Sequence, residues 1–137
     1  MNMVLDTSVT LAWLYPAEVT PAIDALFERV ITHGAVVPAL WQIEIANSLT
    51  ASLRRGKISR KERDAALKNL SNLNIYAENE SSRRAWSDTL ALADRHNLTV
   101  HDGVYLELAM RLKLPLATLD RDLRRAAEQE KVLLLGV

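Results

Sequence analysis

The stretch Met3-Val4-Leu5-Asp6-Thr7-Ser8 is an apolar run that stops abruptly at a carboxylate. Short continuous apolar runs mark central strands of a parallel sheet, buried on both faces. In such sheets ligands sit just beyond the carboxyl ends of the strands, so Asp6 stands where chemistry would be. Asp is also a preferred N-cap, which gives the same residue a purely structural use at the start of the next helix. The other carboxylates of the chain have to decide between the two.

Working outward, the pattern repeats once. Leu116-Ala117-Thr118 is a second short apolar strand that ends near a carboxylate, Asp120, and feeds a helix over residues 121–130. Between them, Ala35-Val36-Val37 and Ile75-Tyr76-Ala77 read as strands, and Val132 to Leu135 as a fifth. Helices are predicted over residues 8–15, ended by Pro16, and 21–33, with Thr20 and Pro21 at the start and Gly34 at the end. Others are predicted over 40–54, from the capping box Ser59-Arg60-Lys61-Glu62 through Leu70, from Ser81 or Ser82 to His96, and over 100–112 behind Thr99. Short apolar strands alternating with helices predict an α/β chain, with a parallel sheet covered on both faces and joined by right-handed crossovers. No linker, repeat or low-complexity tract interrupts residues 1–137, which are expected to form one domain.

Composition narrows the chemistry. The 137 residues contain no Cys, so thiolate metal sites, disulfides and cysteine nucleophiles are excluded, and the three His are scattered. Lys plus Arg (17) balance Asp plus Glu (17), so no global basic field announces nucleic acid. No apolar run is long enough to span a bilayer and no signal-peptide pattern opens the chain, which predicts a cytoplasmic protein without membrane contact.

If the first and fourth strands are neighbours where the strand order reverses, Asp6 and Asp120 share one edge, and Asp102, in the first turn of the helix before strand four, begins there too. Glu44 lies on a helix on which Leu40, Ile43, Ala46, Leu49 and Leu53 are predicted to be the apolar stripe and Glu44, Asn47, Ser48 and Ala51 a small polar face; it is either a fourth acid lining the same cleft or an ordinary solvated helix residue. Converging carboxylates resist joint ionisation unless a cation sits among them. Oxygen donors without Cys or clustered His select Mg²⁺ or Mn²⁺. Thr7, Ser8 and Thr118 are placed either to orient these ligands or to cap the following helices. Asp122 is either an extra ligand or an acid favoured by the helix dipole. His101 is read as an ordinary exposed or satisfied histidine.

The ordered segments LDTS at 5–8, IEIANSL at 43–49, HDGVYLELA at 101–109 and ATLDRDL at 117–123 resemble the PIN-domain family of metal-dependent ribonucleases, and within it the VapC-type toxins of toxin–antitoxin pairs. The resemblance implies a three-layer α/β/α fold with about five short strands. It implies catalysis and metal binding by Asp6, Glu44, Asp102 and Asp120, cleavage of RNA with Mg²⁺ or Mn²⁺, a homodimer and a cognate antitoxin. Gly103 and His101 depart from the family's usual residues around Asp102 and predict a looser start to that helix.

The expected reaction is metal-assisted hydrolysis of a phosphodiester. Arg54, Arg55, Lys57, Arg60, Lys61 and Arg63, at the turn between two helices, are candidates for holding RNA or are simply a solvated tip. Trp13-Leu14-Tyr15 is either core or a patch for a partner. Aspartyl-phosphate phosphatases need a second Asp where this chain has Ser8, and a receiver domain needs acids it lacks near the first strand. The remaining alternative is a PIN-like module that binds RNA or a partner without cleaving.

Overall fold

The computed structural model describes residues 1–137. Five parallel strands form one sheet: β1 (Val4–Leu5), β2 (Ala35–Pro38), β3 (Ile75–Glu78), β4 (Leu116–Ala117) and β5 (Leu134–Leu135), in the order β3-β2-β1-β4-β5. The order reverses between β1 and β4, which pair through Val4 with Leu116 and Leu5 with Ala117. Seven helices flank the sheet: α1 (Thr7–Leu14), α2 (Pro21–His33), α3 (Leu40–Arg54), α4 (Arg60–Ser71), α5 (Asp88–His96), α6 (Val100–Leu112) and α7 (Arg121–Gln129).

Local signals place the helix ends. Thr20 accepts from Ile23 N with Pro21 at the first helical position, and Ser59 and Glu62 form the reciprocal capping box. Thr99 caps α6 and Asp120 caps α7. Gly34 closes α2 at φ 74°, and a Cβ there would lie 2.9 Å from the Asn74 carbonyl oxygen, so only glycine lets α2 turn straight into β2. The strands β1, β2 and β4 are buried along their length and form the middle of a core to which every layer contributes. Trp13 belongs to that assembly: it packs edge-on to Phe27 and donates to the Ile23 carbonyl. No helix is long and apolar enough to cross a membrane.

Three expectations are corrected. The helix predicted from Ser81 to His96 is two pieces, a 3₁₀ turn (Ser81–Arg84) and α5. Glu78 accepts from the backbone N–H groups of Glu80 and Ser81 and from the Ser81 hydroxyl, which ties off a tight turn, and Ser87 at ψ −96° stops it from joining α5. On α3 the buried stripe is Trp41, Ile45, Leu49 and Ser52, whereas Ile43 is 68% exposed. The helix carries apolar residues on two faces, and Trp41, whose indole donates to Thr10 Oγ1, turns the larger one inward. Gly103 does not loosen α6; a Cβ there would lie 3.2 Å from the Thr89 carbonyl oxygen, so the glycine admits α5 to close contact.

Candidate active site at the β1–β4 edge

The sheet's reversal point brings its strand-end residues together. Asp6 directly follows β1, its N–H donates to the Ala117 carbonyl at 3.0 Å, and its side chain is buried. The Asp6 Oδ2 accepts two hydroxyls at 2.7 Å, Ser8 from the first turn of α1 and Thr118 just beyond β4. Thr118 Oγ1 in turn accepts from Asp120 N, and Ser8 Oγ accepts from Leu119 N. The two strand ends are stitched together through the acid between them.

Glu44 reaches the same edge from α3. Its Oε1 accepts from Tyr105 OH at 2.5 Å and Thr7 Oγ1 at 2.9 Å, and the two hydroxyls lie 2.8 Å apart. His101 Nδ1 lies 3.7 Å from its other oxygen. Asp102 sits half-buried in the first turn of α6, and Asp120 is the N-cap of α7, accepting from Leu123 N at 2.9 Å.

The carboxylates feel one another. Burial, then the charges of Asp120 and Asp6, and to a smaller extent Glu44, together push Asp102 up to about 6 against the lowering effect of the Thr99 hydroxyl. Burial likewise raises Asp6, partly offset by Ser8 and Thr118, with Glu44 pushing the same way as burial. Asp6, Asp102 and Asp120 form no ion pair with any Lys, Arg or His. A hard divalent cation suits this all-oxygen donor set and would relieve its repulsion. The acids stand in electrostatic contact, but no three His, Asp or Glu side chains are close enough to form a ready-made ligand set.

The structure thus gathers Asp6, Glu44, Asp102 and Asp120, with Ser8 and Thr118 on Asp6 and Thr7 on Glu44. Asp122 is not with them. It is exposed on α7 and bound to Arg125 Nη1 at 2.9 Å, because the first turn of α7 points it outward. Of the basic stretch, Arg54, Arg55, Lys57, Arg60 and Lys61 are exposed around the α3–α4 turn, while Arg63 is turned to Asp64 at 3.1 Å. Sequence reading missed Tyr105. Its position three residues after Asp102 puts it on the same side of α6, a signal masked by the apolar residues around it.

Residues 3–129 match the family model of the PIN domain. Ribonuclease VapC3 of Pyrobaculum aerophilum is 30% identical over 125 residues, covering 90% of this chain and 92% of the relative. Two crystal structures share the fold. VapBC2 from Rickettsia felis, bound to a DNA fragment from their promoter, gives a TM-score of 0.71 at 10% identity, covering 99% of this chain and 98% of that one. FitAcB from Neisseria gonorrhoeae gives 0.69 at 19% identity, covering 98% and 96%. With its reversed strand order, its acids at the β1–β4 edge and these matches, the chain belongs to the PIN-domain family.

Proposed function

We propose that the protein is a metal-dependent endoribonuclease acting as the toxin of a toxin–antitoxin pair. The observation that carries the reading is the group of four carboxylates at the sheet's reversal point, where burial and mutual repulsion raise Asp102 to about 6 and no arginine or lysine pairs with them. Its similarity to ribonuclease VapC3 supports RNA as the substrate, and the resemblance to VapC-type toxins extends the proposal to a cognate antitoxin and a homodimer.

Asp6 and Asp102 would hold Mg²⁺ or Mn²⁺, with Asp120 and Glu44 completing or orienting the set. When bound, the ion activates water for attack and stabilises charge on the phosphoryl and leaving oxygens. The chain's own part is to hold the ligands still. Ser8 and Thr118 fix Asp6 through Oδ2, and Thr7 and Tyr105 fix Glu44 through Oε1, leaving Oε2 without a hydroxyl partner. Asp102 has to be ionised to hold the ion, so at subsaturating Mg²⁺ or Mn²⁺ cleavage is expected to fall as pH drops below about 6.

The test is RNA cleavage with Mg²⁺ or Mn²⁺ by the wild type, Asp6→Asn and Asp102→Asn. Each variant is expected to lose at least about a hundredfold, and wild-type rates in either would end the assignment. A second reading, a PIN-like module that binds RNA or a partner without cutting, is favoured by the open spacing of the acids. Calcium separates the two: both readings allow binding with Ca²⁺, whereas only the nuclease cleaves once Mg²⁺ or Mn²⁺ replaces it.

A further inference from the structure

Two part-buried hydrogen bonds between α1 and α3, one at each end of α1, share one offset. Thr7 binds Glu44 and Tyr15 OH lies 2.8 Å from Ser52 Oγ, and in both pairs the partners are 37 residues apart in sequence. Helices linked twice at a constant offset run parallel and in register, so α1 and α3 leave the carboxyl edge of the sheet side by side. The same offset sets Leu11 opposite Ser48, and Glu18, just beyond α1, opposite Arg55. The seam between them opens into a cleft of about 450 Å³. Its walls are Leu11, Tyr15, Asn47, Ser48, Ala51 and Ser52, and Arg55, Lys57 and Glu18 stand at its far end.

We propose that this seam is the track of a single-stranded RNA, running from Arg55 and Lys57 to the carboxylates at Thr7 and Glu44. The inference rests on the nuclease reading and extends it from the cleaved bond to the strand on one side of it. The charge of the seam changes sign along its length. Acids collect at the end where a cation would neutralise them, and Arg55, the C-cap of α3, lies about 16 Å further along the helix axis, with Lys57 following in the turn, where a flanking phosphate needs a cation. Between them the walls offer the Asn47 amide and Ser48 hydroxyl for sugar and base edges. The Tyr15 ring, held by its bond to Ser52, gives a base a fixed wall to lie against. Of the six basic residues around the α3–α4 turn, only Arg55 and Lys57 line the seam, so the turn is not uniformly a phosphate-binding surface.

The experiment measures fluorescence anisotropy of a short labelled single-stranded RNA of mixed sequence, with the Asp6→Asn protein and Mg²⁺, between about 50 and 200 mM salt. Adding Arg55→Ala and Lys57→Ala is expected to flatten the slope of log K against log salt by about 1.4, the value for two lost phosphate contacts to a single strand. Removing the same charge elsewhere, by Lys68→Ala with Arg83→Ala, is expected to leave the slope in place. Equal slopes for all three proteins, or equal flattening by both pairs, would overturn the seam. In the otherwise wild-type chain, Ser48→Trp is expected to cut cleavage of the long RNA at least tenfold while sparing a dinucleotide that reaches only the acids. If Ser48→Trp cuts both alike or neither, the seam is not the track, including the case in which it weakens only capture of a polypeptide. If the unaltered chain neither binds nor cleaves RNA, the nuclease reading fails instead.

Discussion

Two groups of acids lie on opposite terms with their surroundings. Behind α5, Glu107 is 4% exposed yet lies within 3.4 Å of Arg84 and 2.8 Å of Arg111, and Arg111 also reaches Glu78 at 3.5 Å. Burial pushes Glu78 up, but the Ser81 hydroxyl, the Glu80 N–H and Arg111 together hold it below its ordinary value. At the β1–β4 edge burial acts in the same direction and is not overcome: Asp6 and Asp102 are both raised, and their helpers are hydroxyls rather than cations. The fold can therefore supply arginines to buried acids and does so where the acids serve structure. Where it withholds them, the acids are left without a cation, which is what the proposed metal-binding role requires.

The largest effect that would sharpen this contrast is in the paired group. Glu107→Ala takes the buried carboxylate from Arg111 and Arg84, which keep only Glu78 and the exposed Asp88, and is expected to destabilise the protein by about 2 kcal/mol, read by urea unfolding, while the remaining folded molecules keep their cleavage rate. Equal stability would mean that the arginines are solvated and the contrast is false.

Asp102→Asn is expected to do the opposite to stability. Because the folded-state value of Asp102 is raised from 3.8 to about 6, the folded protein binds more protons than the unfolded chain in that window, and its stability falls as pH rises through it. The asparagine variant escapes that loss. In EDTA it is expected to be more stable than wild type at pH 7 by about 1 kcal/mol after allowing for the carboxyl's partial exposure, with no gain near pH 4. Thermal melts at the two pH values read the sign, and a loss at pH 7 would contradict it.

An effect of similar size concerns Tyr105. Removing its hydroxyl in Tyr105→Phe leaves Glu44 bonded to Thr7 alone and is expected to cost about 1 kcal/mol of stability and about tenfold in Mn²⁺ affinity. Unchanged Mn²⁺ affinity would make the tyrosine a core residue only.

What could be read in advance follows the range of the interactions. Strand ends and helix caps are local, so the alternation of elements, the β1–β4 neighbourhood and the meeting of Asp6, Asp102 and Asp120 at one edge were legible from short segments, whereas Glu44, inside α3, was a candidate through the family resemblance. The inward face of α3 was not, because two apolar stripes compete and the choice is made by Trp41 reaching Thr10 on another helix. The break before α5 depends on Glu78 gripping the turn after it, which residue type alone does not announce. Tyr105 and the Arg84–Glu107–Arg111 group are long-range in the same sense. Asp122 stayed open between ligand and helix-dipole partner for the converse reason: its nearness in sequence to Asp120 says nothing of the outward turn that hands it to Arg125.

The claim on which all of this turns is that the unpaired acids await a divalent cation, and calorimetric titration of Mn²⁺ at pH 6 in buffers of different ionisation enthalpy tests it directly. Binding to the wild type should release at least about half a proton, since Asp102 is half protonated there and Asp6 is raised as well, and both the binding and the release should be lost in Asp102→Asn. No binding by the wild type, or equal binding with equal proton release by the variant, would contradict the account.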